Sequence, residues 1–262
     1  MKKVLSLIMA ICMIAFTVCA LASCAADNSK DLEYIKNKGK LVVGITDFAP
    51  MDYQDESGKW IGFDADLARL FAEYIGVDVE FQEIEWDNKI MELNGKSIDC
   101  VWNGMTLTDE VKSSMNCGVP YLDNAQVVVI AADKADDYKT VEACKSLRFA
   151  VENGSAGMDM AEENGFTFTA VIDQATALME VAAGTSDAAI IDSLMAAATI
   201  GAGTSYENLT YILPLNSEEY GVGFRKGSDV TDVWNEFFAA VKADGRLAQI
   251  AEKYGIPASL LK

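Results

Sequence analysis

The sequence predicts an α/β fold made of two tandem sheet-and-helix units, and three observations carry that expectation. Short apolar runs alternate with amphipathic segments of helical period, first across residues 41–102 and again across 149–191. A charged break, Asp133-Lys134-Ala135-Asp136-Asp137, separates the two series. With 262 residues, 51% hydrophobic content and only 4 prolines, the chain is long enough to bury a core in each unit.

The first segment is a targeting signal rather than a structural element. Lys2 and Lys3 precede an apolar run over 4–20 that ends in Leu21-Ala22-Ser23-Cys24. A positive start, an apolar stretch too short to span a bilayer, and small residues before a cysteine mark a secretory signal. Residues 1–23 are therefore expected to be a signal peptide. The four-residue ending resembles the lipobox of bacterial lipoproteins, which implies lipid on Cys24 and a tether over 24–38.

The folded pattern is expected from Leu41, where Leu41-Val42-Val43-Gly44-Ile45 reads as a buried strand. A turn around Ser57-Gly58 occupies 53–59. Leu67, Leu70, Phe71, Tyr74 and Ile75 then recur at helical spacing, with Asp64 or Asp66 available as a cap and Gly76 as a stop. A strand at 77–81, a helix at 88–93 before Gly95 and a strand at 98–102 complete a βαβαβ order, which calls for a parallel sheet. The second unit follows the strand 126–131 and the charged break. It reads as a strand at 149–151, a helix from Asn153-Gly154-Ser155-Ala156-Gly157 to about 164, a strand at 166–171, a helix at 174–183 and a strand at 188–191. Strands at 209–213 and 220–224 and helices at 230–242 and 247–254 close the chain. Ligands in such sheets bind outside the C-terminal ends of the strands, so the gap between the units is the expected site.

Composition excludes several functions. A formal charge of -19 argues against nucleic acid or an anionic lipid surface as the main partner. The chain has no histidine and no cysteine pair at ligand spacing, so a zinc site or a histidine-based triad has no material, and no metal or cofactor is expected. Of 6 cysteines, Cys12 and Cys19 lie in the signal; Cys100, Cys117 and Cys144 are too few and scattered for a disulfide framework. Cys100, beside Ile98, Val101 and Trp102, reads as a small buried hydrophobe.

Taken in order, several motifs resemble the extracytoplasmic solute-binding proteins of ABC importers, in the branch that captures polar amino acids. They are Gly62-Phe63-Asp64-Ala65-Asp66-Leu67-Ala68, Ser97-Ile98-Asp99-Cys100-Val101-Trp102-Asn103-Gly104-Met105-Thr106-Leu107-Thr108, Pro120-Tyr121, Gly184-Thr185-Ser186-Asp187-Ala188 with Asp192, and Tyr220-Gly221-Val222-Gly223-Phe224-Arg225-Lys226-Gly227. The resemblance implies a two-lobed periplasmic-binding-protein-like fold of type II, two α/β sheets joined by a two-strand hinge near 127–131 and 213–217. Lobe 1 would comprise 39–128 and 216–262, and lobe 2 would comprise 129–215. It implies a monomeric, non-catalytic binding protein held to the membrane by lipid and serving an ABC permease.

The same resemblance implies a site. An amino acid brings an ammonium and a carboxylate, and a closed cleft must partner both because an unpaired buried charge is costly. Asp192 stands where the family holds the amine; a helix cap is the alternative role. Ser155 and Ala156 stand where backbone amides at a helix start hold the carboxylate. Thr106 matches a hydroxyl position, and Asn103 and Gly104 lie in the same motif. Phe48 and Trp86 match aromatics that stack on the ligand side chain, and Asp47 can meet a cationic one or be a solvated turn carboxylate. Tyr53 and Trp102 lie near the expected cleft, Trp102 with core as its alternative. The family commonly has an arginine where Val111 stands, and its planar fork grips the α-carboxylate. Either amides and hydroxyls hold the carboxylate alone, or the ligand is not a standard α-amino acid.

Overall fold

Two five-stranded mixed sheets divide the structure into two lobes with helices packed on the sheet faces. The computed structural model describes residues 28–262; the expected signal over 1–23 and the expected lipidation site Cys24 lie outside the described residues. The first sheet runs in the order Asp78–Glu83, Lys40–Ile45, Cys100–Val101, Gly223–Arg225, Met115–Cys117. Its first three strands are parallel, whereas Gly223–Arg225 runs antiparallel to both of its neighbours. The second sheet runs Thr167–Val171, Arg148–Glu152, Ala188–Asp192, Gln126–Ala131, Leu209–Pro214, again with three parallel strands and two reversed contacts. The purely parallel sheet expected from βαβαβ order is thus corrected. A chain that crosses between lobes twice brings in strands with the opposite sense.

Burial follows the sequence pattern closely in the central strands. Leu41 through Ile45 and all of Ala188–Asp192 are buried, as an interior strand covered on both faces requires. Helix Phe63–Ile75 buries Phe63, Leu67, Phe71 and Ile75, four positions one helical turn apart. Leu70 and Tyr74 lie at the edge of that stripe instead, with Tyr74 exposed. Gly76 at φ 79° ends the helix in the left-handed conformation. The C-terminal helix Val230–Ala243 packs on the first lobe: Trp234 stacks on Phe238 at 5.0 Å and meets Trp102 at 5.9 Å, and Phe237 meets Phe71 at 5.3 Å.

Residues 31–38 are not a tether. Asp31–Lys38 is a helix whose Ile35 is fully buried, and Asp31 accepts from the buried guanidinium of Arg225 at 2.8 Å. With only Leu32, Tyr34 and Ile35 as anchors among lysines and acids, its local sequence looks solvated, and a partner 194 positions away helps to decide its placement.

The crossing between lobes also differs from the expectation. Gln126–Ala131 is an interior strand of the second sheet, so the division expected between 128 and 129 falls inside one strand, and 127–131 is no hinge. The segments that pass between the sheets pair as a short antiparallel ribbon, Leu122–Asn124 with Glu218–Tyr220. Residues 127–130 are all buried, and two neighbouring strands take their backbone bonds.

Candidate functional site

A narrow cavity, partly open to solvent, lies between the lobes at the ends of the central strands. Its first-lobe wall includes Thr46, Phe48, Trp86 and Lys89, and its second-lobe wall includes Glu152, Ser155, Ala156, Gln174 and Asp192. The lobes touch here. Lys89 Nζ donates to the Gly154 carbonyl at 2.8 Å, and a Cβ on Gly154, at φ 68°, would stand 2.9 Å from the Asp87 Cα. Glycine is required at that approach.

The structure brings Phe48, Trp86, Asn103, Gly104, Thr106, Ser155, Ala156 and Asp192 together around this cavity. Asp47 is the exception: it is exposed outside the lining, where partial burial and the nearby carboxylates of Asp173 and Glu83 push its pKa up. Thr46 takes the inward place because successive strand residues point to opposite sides. Tyr53 lies outside the lining on a hairpin strand paired with Trp60–Ile61. Trp102 is core, 1% exposed against Phe71 and Trp234.

Asp192 ends its strand with a fully buried carboxylate. Oδ1 accepts from Tyr220 OH at 2.6 Å, Gln126 Nε2 at 3.0 Å and Asn124 Nδ2, and Oδ2 accepts from Gln174 Nε2. The side chain makes no cap bond to helix Ser193–Thr199, which disposes of the capping alternative. Burial, and then the charge of Glu218, push its pKa up to about 7 despite these donors. Its crowded Oδ1 faces the ribbon, while Oδ2 keeps accepting capacity.

The other residues divide by how much of their bonding is already spent. Asn103 Oδ1 accepts from the Thr46 amide and hydroxyl, both at 2.7 Å, and its Nδ2 donates to Thr46 O and Asp52 Oδ2. Both amide protons are used, so this side chain ties strand ends together and has no donor left for a ligand. Gly104, at φ 54°, donates its amide to Asp64 Oδ2 at 2.6 Å, and a Cβ there would come within 2.6 Å of the Phe48 ring. Asp64 is not a helix cap as expected; it is buried and also accepts from Tyr121 OH, holding the Gly104 turn. Thr106 donates to Glu218 Oε1 at 2.9 Å and retains its acceptor capacity. Ser155 caps helix Ala156–Glu163 by accepting from the Met158 amide on its hydroxyl, which leaves the amides of Ala156 and Gly157 without an acceptor within the helix.

Four ionisable residues in the lining, Lys89, Glu110, Glu152 and Asp159, were not singled out from sequence. Lys89, 4% exposed, sits over the Trp86 ring at 5.0 Å, with burial lowering its pKa. Glu152, 3% exposed, has an Oε1 with no hydrogen-bond partner, and burial followed by Asp192 and Asp173 pushes its pKa up to about 8. Glu110 and Asp159 complete a lining of four carboxylates and one ammonium. The available signals were Glu152 just before the Asn153-Gly154-Ser155 turn and Lys89 three residues after Trp86. Helical spacing places Lys89 and Trp86 side by side.

Residues 41–257 match the bacterial extracellular solute-binding proteins, family 3. The chain belongs to this family. Among curated relatives of this family-3 protein, the arginine-binding extracellular protein ArtP of Bacillus subtilis (strain 168) is 28% identical over 97% of this chain and 98% of its own length. The L-cystine-binding protein TcyA of the same organism is 30% identical over 97% of each chain. A mutant of ArgBP from T. maritima has the same fold, with a TM-score of 0.80, 31% identity and coverage of 85% of this chain and 98% of that one. The ancestral amino acid-binding protein AncCDT-1, a precursor of cyclohexadienyl dehydratase, has a TM-score of 0.78 at 30% identity, covering 86% of this chain and 99% of its own. The two mixed-sheet lobes are those of the type II solute-binding architecture.

Within this family-3 frame, Val111 lines the cavity as an apolar wall, its amide taken by Thr108 Oγ1 at 3.2 Å. No arginine stands in the lining. All three cysteines among the described residues are free, and Cys100 is fully buried in the core.

Proposed function

We propose that this chain captures a polar amino acid with a nitrogen-bearing side chain between its lobes and delivers it to an ABC permease. One observation carries the reading: a cavity at the lobe interface lined by four carboxyl groups, which accept hydrogen bonds or carry negative charge, against a single ammonium. Such a lining favours a ligand with more than one cationic or hydrogen-bond-donating group. Asp192 takes the α-ammonium, Phe48 and Trp86 flank the side chain, and Thr106, Ser155 and Ala156 offer polar contacts. The arginine named for one relative belongs to this class, and the cystine named for another carries a second ammonium. Lobe 1 runs to Asn124 and resumes at Glu218, lobe 2 occupies the residues between, and the protein works as a monomer.

A thermal-shift screen over free amino acids, amines, polyamines and small peptides tests the reading. A ligand at 100 times its dissociation constant stabilises the fold by about 2.7 kcal/mol. No amino acid raising the melting temperature would reject this ligand class. A second reading, an enzyme in the same cavity, has Glu152 in its favour, since a buried carboxyl with its pKa near 8 suits a general acid. Mass spectrometry of the ligand after incubation separates the two, and return of the ligand unchanged favours transport.

The protein is proposed to be extracytoplasmic, with lipid on Cys24 as its anchor. Cys24→Ala should move it from the membrane fraction to the soluble one. Retention of the variant on membranes would reject the anchor.

A further inference from the structure

We infer that Lys89 receives the ligand's α-carboxylate, supplying from the first lobe the cation that Val111 does not supply. The inference rests on the amino-acid reading above and names the residue that makes the cavity selective for an acid over its amine.

Lys89 opens helix Lys89–Asn94, and its side chain is buried in the cavity wall. Its Nζ donates to Gly154 O at 2.8 Å and to Trp86 O at 3.3 Å, and it makes no ion pair among the described residues. An ammonium has three protons, so one donor is left over. Its hydrogen bonds go only to neutral carbonyls, and the nearby Glu110, Glu152, Asp87 and Asp159 act on it through space without bonding it, so the third proton is free for a bound anion. The surroundings give that anion a place. The carbonyl that Lys89 holds belongs to the peptide joining Gly154 to Ser155, and Ser155 caps the eight-residue helix Ala156–Glu163. Ammonium, free first-turn amides and the positive end of the helix dipole therefore share one corner of the cavity.

The rest of the lining sets the ligand's charge. Val111 offers only methyl groups. Asp192, on a different strand, carries the negative charge that an α-ammonium needs. A single carboxylate fits beside Lys89, whereas a dianion would face Glu110 and Asp159 with one cation to balance it. Lysine gives a point charge where arginine gives a planar fork, so the helix amides must supply the second contact to the carboxylate.

Two variants and paired probes test this. Whichever of arginine, histidine or cystine binds the wild type is compared by calorimetry with its decarboxylated counterpart, agmatine, histamine or cystamine. The wild type should prefer the amino acid by at least about 10-fold, in line with a charge-assisted hydrogen bond. Lys89→Met should abolish that preference while changing the amine's affinity by less than about 3-fold. Lys89→Gln keeps a donor for Gly154 O but no charge, and it should lose the preference too, which separates charge from lobe bridging. Circular dichroism checks that both variants fold. Parallel weakening of acid and amine would reduce Lys89 to a lobe contact and overturn the assignment, as would an unchanged preference in either variant. Binding of amines with no amino acid bound at all would instead reject the amino-acid reading itself.

Discussion

Glu152 is the residue whose environment differs most from what its local sequence announces. It is fully buried beside Asp192 and Asp173, has an unpartnered oxygen, and its carboxyl pKa stands near 8, with the Gln174 amide and Lys89 pulling weakly the other way. A carboxyl whose folded pKa lies above its unfolded value contributes stability below the unfolded value and loses it as pH rises through the folded one. The unliganded protein should therefore lose stability between about pH 4.5 and pH 8, by up to about 1.4 kcal/mol per pH unit from this group. Asp192, near 7, acts in the same direction over a narrower window. Melting curves at pH 5 and pH 8 check this: Glu152→Gln should narrow the difference between the two temperatures by several degrees. An identical difference in variant and wild type would mean that Glu152 is not held neutral by the fold.

Among the elements, the short ribbon Leu122–Asn124 with Glu218–Tyr220 links site and crossing. Glu218 Oε1 accepts from Thr106 Oγ1, Asn124 Nδ2 at 2.6 Å and Gln126 Nε2 at 2.8 Å, while Tyr220 donates to Asp192 and lies edge-on to Phe48 at 6.3 Å. The polar side chains of the crossing thus bond directly to cavity residues from both lobes. Helix Asp31–Lys38 shows a different dependence: it is fixed by Arg225, whose guanidinium also donates to Asp99 Oδ1 at 3.2 Å and to Ile98 O at 2.7 Å. One buried cation ties the first described helix, a loop before the central strand and the returning C-terminal segment. Breaking one partner of such a network leaves a buried charge unpaired.

At the scale of the whole molecule, the contacts across the cavity mark a closed arrangement. Lys89 bonds Gly154, and the Gly154 backbone packs on Asp87. With only a two-stranded ribbon crossing between the sheets, few backbone bonds oppose rotation of one lobe on the other. Small-angle scattering should give a smaller radius of gyration with a saturating amino acid than without it. A tight ligand that left the scattering profile unchanged would reject closure as the capture mechanism.

The sequence by itself determined the α/β class, the order of the central strands and helices, and most of the cavity. Period-2 and helical spacing are local, and ordered motifs such as Ser97-Ile98-Asp99 and Tyr220-Gly221-Val222 carry their own positions. Eight of the nine binding residues that the family resemblance implies line one cavity. Tertiary structure alone decided the rest. Whether Asp47 or Thr46 faces inward depends on the pleat at a strand end, and whether Asn103 has a free donor depends on Thr46 and Asp52, 57 and 51 positions away. Reversed strands and the true crossing at 122–124 and 218–220 follow from pairings between distant segments, which no local pattern encodes. Lys89 and Glu152 look like ordinary surface charges in the sequence, and only the tertiary structure buries both in the wall of one cavity.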